Sequence, residues 1–226
     1  MMGISKRLHF FEFKVYCDMS NGGWTLIARF SNADSANWMQ NSGNWWYDRT
    51  TAYGSVTSTS KNYDMISPAF WLVPGSYIKV SRSDDSSNTR LLETGGCTGG
   101  TTFRSFITSF GNFRYSVTWN SNACRQSCYI NYYSGSYRST QGFSQLRCNY
   151  YHIGGRSYLS FWCDWSTGDG AVMMIGGGGS SCNRADHGIG ITEANEASFD
   201  TSYPQSDFGD ESGHGTSSYS LNLWYK

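Results

Sequence analysis

Residues 15–30 have the sequence Val-Tyr-Cys-Asp-Met-Ser-Asn-Gly-Gly-Trp-Thr-Leu-Ile-Ala-Arg-Phe, and this stretch decides how the chain begins to fold. Apolar and polar residues alternate over 8–17, which predicts a strand with one buried face. Ser20 to Gly23 supplies the Asn and Gly residues that a tight hairpin turn needs. The aromatic and aliphatic run 24–30 predicts a second strand. The chain is therefore predicted to open with a β-hairpin.

Short strands separated by turns recur along the rest of the chain. The run 63–73 is broken by Pro68 and is compatible with either a short helix or a buried strand. No amphipathic helix longer than about three turns can be drawn. The residues alone therefore predict a loop-rich β protein. Apolar and aromatic patterning predicts further strands over 77–81, 115–119, 129–133, 158–162 and 219–225.

The composition excludes two classes of partner. Lys plus Arg and Asp plus Glu each number 17, so the formal net charge is zero. A neutral chain lacks the electrostatic attraction that nucleic acid or an anionic membrane requires, so we expect no nucleic-acid partner. No stretch approaches the roughly 20 apolar residues of a membrane span, so no membrane insertion is expected. Residues 1–226 show no linker or repeat and are interpreted as one domain.

Cysteine usage favours an oxidising compartment. Scattered cysteines in a chain rich in Gly, Ser and Tyr are typical of disulfides, and no pair of CxxC motifs suggests a zinc site. Secretion is therefore expected, although residues 1–14 show no apolar run that would serve as a signal peptide. The seven cysteines lie at positions 17, 97, 124, 128, 148, 163 and 182.

A second informative stretch is 163–208, which is rich in glycine and in acidic residues. It contains four consecutive glycines at 176–179 and seven Asp or Glu residues, and Arg184 is its only Lys or Arg. Calcium takes about six to eight oxygen ligands, and glycine lets backbone carbonyl groups turn toward an ion. This composition predicts a calcium site with one coordination edge left for a ligand.

Two motifs resemble the fibrinogen-related domain family. The run that begins at Tyr16, Tyr-Cys-Asp-Met-Ser-Asn-Gly-Gly-Trp-Thr, is similar to the segment that opens the core of that family. Gly168-Asp-Gly-Ala, Cys182-Asn183 and His187 resemble a run of the intelectin branch, whose members are calcium-dependent animal lectins. The spacing from Asn183 to His187 is one residue longer than in the family, and the glycine run precedes Cys182 instead of following the histidine.

The resemblance extends over nearly the whole chain and implies a fold. It implies an α+β fibrinogen-like domain, built mostly of short antiparallel strands and long loops with few short helices. It also implies that the N-terminal part of the domain is missing from this sequence.

The resemblance also implies a calcium ion that binds sugar. Asn183, Asp186 and Glu193 would be its ligands, and Asp207 or Asp200 would be the downstream ligand. Asp207 is followed by Phe as in the family, whereas Asp200 matches the family better in its distance from Glu193. Two vicinal hydroxyl groups of the sugar would complete the coordination shell, because calcium tolerates irregular geometry.

Around that ion the resemblance implies direct contacts to the sugar. His187 would hydrogen-bond the sugar, and the carboxylates of Asp186 and Glu193 would accept its hydroxyl protons. Tyr203 and Phe208 are the candidates for an aromatic wall against the apolar face of the ring.

A second calcium site is implied by Asn32, Asp34 and Asp64, which resemble the buried structural calcium sites of intelectins. The alternative is an ordinary loop, since most clusters of Asn and Asp are turn-forming residues that cap their own backbone.

The resemblance also bears on the cysteines. Cys17 pairs in the family with a cysteine upstream of this sequence, so we expect it to be free or bonded to another chain. Cys163 and Cys182 bracket the glycine loop and are predicted to form a disulfide. Three connectivities stay open for the remaining four, Cys97, Cys124, Cys128 and Cys148.

The resulting hypothesis is a secreted, calcium-dependent lectin that binds glycans, with microbial surfaces as one source. Because a single lectin site gains avidity only from linked copies, a homo-oligomer is a candidate state. The alternative is a fibrinogen-like module for protein interaction or adhesion, with structural calcium or none. Catalysis is not expected, since no Ser-His-Asp or Cys-His arrangement and no G-x-S-x-G motif can be identified.

Overall fold

The computed structural model of the chain describes the first half of the sequence almost continuously and the second half mainly at its strands. At 120–121, 132, 187, 191–192 and 210 it describes the backbone alone. The described residues are 12–34, 36, 38, 45–113, 120–121, 123–132, 158–164, 170–175, 187–192, 207–210 and 216–226.

β-Strands dominate these residues. Two short α-helices, α1 (Ala69–Leu72) and α2 (Phe103–Thr108), and a 3-10 helix at Trp46–Asp48 are the helical elements within the described ranges. No helix among them is long and apolar enough to cross a membrane. The strands are β1 (Cys17–Asp18), β2 (Trp24–Ser31), β3 (Met65–Ile66), β4 (Pro74–Gly75), β5 (Ile78–Arg82), β6 (Leu92–Thr94), β7 (Thr101–Thr102), β8 (Asn120–Ser121), β9 (Gln126–Tyr132), β10 (Tyr158–Asp164), β11 (Gly170–Ile175), β12 (His187–Thr192), β13 (Phe208–Asp210) and β14 (Ser220–Tyr225).

One large sheet organises the fold. Its main path runs β1-β2-β14-β5-β6-β9-β10-β11-β12-β13, with β3 paired to β2 and β8 paired to β10. The described pairings are antiparallel except for β8 with β10. The α+β class implied by the family resemblance is therefore wrong, because the helices are two short segments beside a dominant antiparallel sheet. The residue-based prediction of a β protein agrees with the structure.

Strand β14 lies between β2 and β5, and all six of its residues are buried. Leu221, Leu223 and Tyr225 pack into the main core, as the alternation of the sequence predicts. On the opposite face Trp224 packs in a smaller cluster with Trp24, Leu26 and Met65. The C-terminal strand is therefore a central element that is covered on both faces.

The predicted opening hairpin is confirmed, but its first strand is shorter than expected. Cys17 pairs with Thr25 and Asp18 with Trp24, whereas residues 12–16 are outside any strand. Gly22 and Gly23 have positive φ angles of 102° and 75°, which glycine adopts without strain. The turn chemistry thus fixes the pairing of β1 with β2.

Other predicted elements differ in their boundaries. The run 63–73 contains both a strand, β3, and a helix, α1, so neither of its two proposed interpretations covers it alone. The predicted strand at 77–81 corresponds to β5, one residue later at each end. The predicted strand at 115–119 lies outside the described residues.

The cysteine pairing corrects one prediction. Cys163 is bonded to Cys124, so the predicted bond to Cys182 is wrong. β8 runs beside β10, and Ala123 and Asp164 exchange backbone hydrogen bonds of 3.1 Å. These pairings bring Cys124 to Cys163. Cys97 is bonded to Cys128, which was one of the open pairings.

Cys17 is exposed and is the free cysteine among those described. Its predicted alternatives were a free thiol or a bond to another chain. Cys148 and Cys182 lie outside the described residues.

A buried lysine anchors the opening hairpin to the sheet. The ammonium group of Lys79 lies 3.5 Å from the carboxylate of Asp18 and is buried. It also lies 4.2 Å and 5.3 Å from the ring centroids of Trp224 and Trp24. Burial lowers the pKa of Lys79 to about 8, and the nearby Asp18 carboxylate opposes this shift. The pair therefore links β1 to β5 across the sheet face that carries Trp224 and Trp24.

Removing one partner of this pair should cost more stability than removing both. We expect Lys79→Met to lower the free energy of unfolding by about 3 kcal/mol, because it leaves the Asp18 carboxylate buried without its cation. The double variant Asp18→Asn with Lys79→Met should recover most of that loss. Urea unfolding of the wild type, both single variants and the double variant measures the coupling, and additive losses would contradict the buried pair.

The same lysine should give stability a defined pH dependence. Its folded pKa of about 8 lies below the ordinary value of 10.5, so the unfolded chain binds this proton more tightly between those values. The contribution of Lys79 to the free energy of unfolding is therefore expected to rise as pH increases through that window. Buried Tyr219 and Tyr225 have raised pKa values and act in the opposite direction above about pH 10.

The measurement is the stability difference between the wild type and Lys79→Met, followed from about pH 7.5 to about pH 9.5. A difference that increases with pH agrees with the expectation. A difference that stays constant over this range would show that burial does not perturb Lys79.

Candidate functional site

Three acidic side chains from distant parts of the chain meet in one cluster. Asp34 follows β2, Asp64 precedes β3, and Asp207 precedes β13. Asp64 is 0% exposed and Asp207 is 1% exposed, whereas Asp34 is partly buried. The carboxyl groups of Asp64 and Asp207 are close enough to shift each other's pKa, and the charge of Asp34 raises the pKa of both.

Backbone amide groups fix one oxygen of each buried carboxylate. Ser31 N donates to Asp64 Oδ1 at 2.7 Å, and Trp38 N donates to Asp207 Oδ1 at 3.2 Å. Asp34 is held by the same kind of bond, since Asp64 N donates to its Oδ2 at 2.8 Å. Because these bonds come from the backbone, the orientation of the three carboxylates is determined by the fold.

Asn32 forms hydrogen bonds with the segment that contains Asp207. Its Oδ1 accepts a hydrogen bond of 2.6 Å from Asp207 N, and its Nδ2 donates to Phe208 O at 2.9 Å. The loop after β2 is thereby connected to the segment that enters β13.

Two carboxylate oxygens at the centre have no hydrogen-bond partner. Asp64 Oδ2 and Asp207 Oδ2 are both buried, and no donor within the described residues reaches them. Burial is the main cause that raises the pKa of each group. The charges of Asp207 and then Asp34 raise the pKa of Asp64 further. For Asp207, contact with Asp64 opposes the shift and the Asp34 charge adds to it.

Arg29, a buried arginine near the cluster, forms its hydrogen bonds with backbone carbonyl groups and not with the three carboxylates. Arg29 is buried and feels the charge of Asp64. Its guanidinium group nevertheless donates to carbonyl oxygens, to Tyr63 O at 2.8 Å and to Ser58 O at 2.6 Å. No salt bridge to Asp34, Asp64 or Asp207 occurs in the part of the chain that the structure describes. The cluster therefore concentrates negative charge in a low-dielectric site, which is costly unless a cation or a shared proton neutralises it.

The donor chemistry of the cluster fits calcium in part. Calcium prefers carboxylate oxygens, and the unpartnered oxygens of Asp64 and Asp207 would be its ligands, with Asp34 adding charge. Within the described ranges no group of three His, Cys, Asp or Glu side chains has the arrangement of a metal site. Both oxygens of Asp34 accept hydrogen bonds from backbone N–H groups, those of Asp64 and Ala36.

The structure brings together the residues predicted for the second calcium ion, Asn32, Asp34 and Asp64. Asp207, which the sequence assigned to the sugar-binding ion, lies with them. The hydrogen bond between Asp207 and Trp38 joins positions 169 residues apart, so no local signal could have indicated this contact. The predicted site residues that lie outside the described ranges are Asn183, Asp186, Glu193, Asp200 and Tyr203.

His187 is the first residue of β12, where it pairs with Asp210, and only its backbone is described. This strand has six residues and spans about 17 Å. Asp186 precedes its first residue and Glu193 follows its last. Two of the predicted ligands of the sugar-binding ion, Asp186 and Glu193, are therefore separated in sequence by a strand.

The position of Phe208 contradicts its predicted role as an aromatic wall against the sugar. Its side chain is 0% exposed, and its ring centroid lies 5.7 Å from that of Tyr219 in the main core. A core side chain cannot present its ring to a sugar, so the predicted contact between Phe208 and the ligand is wrong.

Comparison of the chain with protein-family models finds no match, and no curated protein matches it. The relation to fibrinogen-related proteins stays a hypothesis that depends on the two sequence motifs.

Substitution of Asp207 distinguishes a cation site from a shared proton. We expect calcium to stabilise the wild-type protein against unfolding by about 2.7 kcal/mol at a free concentration one hundred times the dissociation constant. Asp207→Asn should remove this gain, and it should stabilise the protein in EDTA because it removes buried charge repulsion. Urea unfolding with calcium and with EDTA measures both effects.

Asp84→Asn is the matched control, because Asp84 is exposed and pairs with Arg82 at the surface. The control should keep the calcium response of the wild type. A wild-type protein whose stability is the same in calcium and in EDTA would contradict the cation site.

Proposed function

We propose that the protein is a secreted, calcium-dependent lectin that binds glycans through vicinal hydroxyl groups. The observation that carries this proposal is the buried pair Asp64 and Asp207, each of which has one buried carboxylate oxygen, Oδ2, without a hydrogen-bond partner among the described residues. A fold that keeps such oxygens buried requires a neutralising charge, and a hard cation with oxygen ligands meets that requirement. If calcium, and not a shared proton, neutralises the pair, the stability of the fold depends on calcium.

An ion between Asp64 and Asp207 would support the segments that carry the predicted sugar site. Asp207 leads directly into β13, and β13 pairs with β12 from Ile189 to His187. The residues assigned to sugar binding, 183–187 and 193–206, lie at the two ends of β12 in the sequence. The ion bound to the buried cluster would thus hold the hairpin from which both segments extend.

Asn183, Asp186 and Glu193 are proposed to hold the ion that contacts sugar. When bound, calcium supplies coordination positions for two vicinal hydroxyl oxygens, and it accepts them in irregular geometry. Carboxylate side chains orient the sugar by accepting hydrogen bonds from its hydroxyl groups, and a neighbouring imidazole forms a hydrogen bond with a further hydroxyl group. The neutral net charge of the chain agrees with an uncharged ligand.

The disulfides support an extracellular location. Cys97–Cys128 and Cys124–Cys163 both join strands or strand ends of the sheet. Disulfides of this structural kind are typical of oxidising compartments.

A second candidate is a module for protein interaction or adhesion in which calcium is only structural. The burial of Asp64 and Asp207 favours it, because an ion bound between fully buried carboxylates offers no open coordination edge to a sugar. The two candidates differ in the role of Glu193, which lies outside the buried cluster.

Retention on immobilised sugars tests the choice between them. We expect the wild-type protein to be retained in calcium on a mixed-glycan column and to elute with EDTA. Glu193→Gln should abolish retention, since it removes a ligand of the ion that binds sugar, but it should leave the stabilisation by calcium intact. Chromatography and urea unfolding of the same samples give the two readouts.

Asp84→Asn again serves as the control, since it alters one exposed carboxylate and should behave as the wild type does on the column. A glycan array that stays blank with calcium-loaded protein, together with unchanged stabilisation by calcium, would favour the adhesion module. Retention that EDTA does not reverse would rule out the calcium-dependent lectin.

A further inference from the structure

The turn of the opening hairpin carries a chemically reactive pair of residues. Asn21 and Gly22 form the one Asn-Gly pair in the sequence, and both are exposed. An asparagine side chain is thermolabile, and its carboxamide carbon can be attacked by the backbone nitrogen of the next residue. Glycine in that next position offers the least steric hindrance to the attack, because it has no Cβ atom.

The backbone nitrogen of Gly22 is accessible. It donates no hydrogen bond to any residue that the structure describes, whereas the next nitrogen, that of Gly23, donates to Asp18 O at 3.0 Å. A Cβ atom placed on Gly22 would meet no atom closer than 3.9 Å, so the space beside this nitrogen is open. The nitrogen can therefore approach the side chain of Asn21 without breaking a described hydrogen bond of its own.

Positive charge lies close to Gly22. The ammonium group of Lys226 and the indole nitrogen of Trp24 are each 3.9 Å from the position of that Cβ atom. The ammonium group also lies 4.7 Å from the centroid of the Trp24 ring. A nearby cation favours the deprotonated form of an N–H group, and the deprotonated amide is the nucleophile in this reaction.

The carboxamide of Asn21 is oriented and is open to water. Its Nδ2 donates to both carboxylate oxygens of Asp18, at 3.0 and 2.9 Å, and the backbone nitrogen of Asn21 donates to Asp18 Oδ1 at 3.1 Å. Asn21 also borders an open cavity of about 350 Å³ on the side of the loop 87–90. Water therefore reaches the group that it has to hydrolyse.

We infer that Asn21 is a modification site at which the protein deamidates spontaneously as it ages. Gly22 N attacks Cγ of Asn21 and forms a new N–C bond, while the bond from Cγ to Nδ2 breaks and ammonia leaves with the Gly22 amide proton. Water then opens the resulting succinimide ring at either of its carbonyl groups, which gives aspartate or isoaspartate. One water is consumed and one ammonia is released. The reaction requires neither the calcium nor the sugar of the proposed lectin.

The product weakens the hairpin. An aspartate at this position has no donor for Asp18, so two carboxylates would lie where Nδ2 now forms its bonds of 3.0 and 2.9 Å. Asp18 is also the partner of the buried Lys79, so the repulsion acts on the contact that links β1 to β5. Isoaspartate adds a methylene group to the backbone of the turn that sets the pairing of Cys17 with Thr25.

Peptide mass spectrometry of the full chain, incubated at mildly alkaline pH, tests the reaction. A synthetic peptide of residues 16–26 is incubated in parallel as the time standard. Asn21 should convert faster than every other described asparagine, to a mixture of aspartate and isoaspartate. Asn88 is the internal control, because it borders the same cavity but is followed by Thr89, whose branched side chain hinders the attack.

Two outcomes of this incubation would overturn the inference. One is an unmodified Asn21 in the protein at the time when the peptide has converted completely. The other is conversion of Asn88 ahead of Asn21.

Two variants test the structural consequence. Asn21→Asp copies one product, and Asn21→Ser removes the carboxamide without adding charge. Asn21→Asp should unfold at a lower urea concentration than Asn21→Ser, and concentrated salt should narrow the difference because it screens the repulsion from Asp18. Equal unfolding midpoints in low salt would contradict the proposed effect on the hairpin.

Hydrogen exchange locates the effect in the aged protein. The amide of Leu26, which donates to Tyr16 O at 2.9 Å, should exchange faster after deamidation, whereas the amide of Leu223 in β14 should keep its rate. An unchanged rate at Leu26 would show that the modification leaves the hairpin intact.

Discussion

Buried negative charge is the constraint on which the proposed account of this molecule depends. Asp64 and Asp207 lie fully inside the protein with Asp34 beside them, and the nearest arginine is turned away toward carbonyl groups. Burial of one unpaired carboxylate already costs several kcal/mol, so a cluster of three cannot persist in ionised form without compensation. In the proposed account a bound cation supplies this compensation, and the backbone hydrogen bonds hold the carboxylates in the orientations that it needs.

The cluster links parts of the sheet that are far apart in sequence. β2 and β3 lie at one end of the sheet, near its N-terminal hairpin, and β12 and β13 lie at the other. Asn32 and Trp38 connect the loop after β2 directly to Asp207, while Asp34 connects it to Asp64. Neutralisation of the acidic cluster is therefore expected to stabilise both ends of the sheet.

Sequence reasoning succeeded where the determining interactions are local. The hairpin at 17–25 follows from its glycine turn, and β14 follows from alternating apolar residues. The pairing of Cys124 with Cys163 could not be predicted, because it depends on β8 and Ala123 lying beside β10. Phe208 was a candidate for the aromatic wall from its position beside the implied calcium ligands, yet its side chain lies in the core at the start of β13. The α+β class came from a family resemblance rather than from the residues, which had indicated a β protein.

The central claim is that a cation binds between Asp64 and Asp207, and diffraction from crystals grown in calcium tests it most directly. The account predicts an ion with an anomalous signal about 2.4 Å from both Asp64 Oδ2 and Asp207 Oδ2. The contradicting result is a direct hydrogen bond of about 2.6 Å between the two carboxyl groups with no ion between them, which would mean that a shared proton neutralises the cluster.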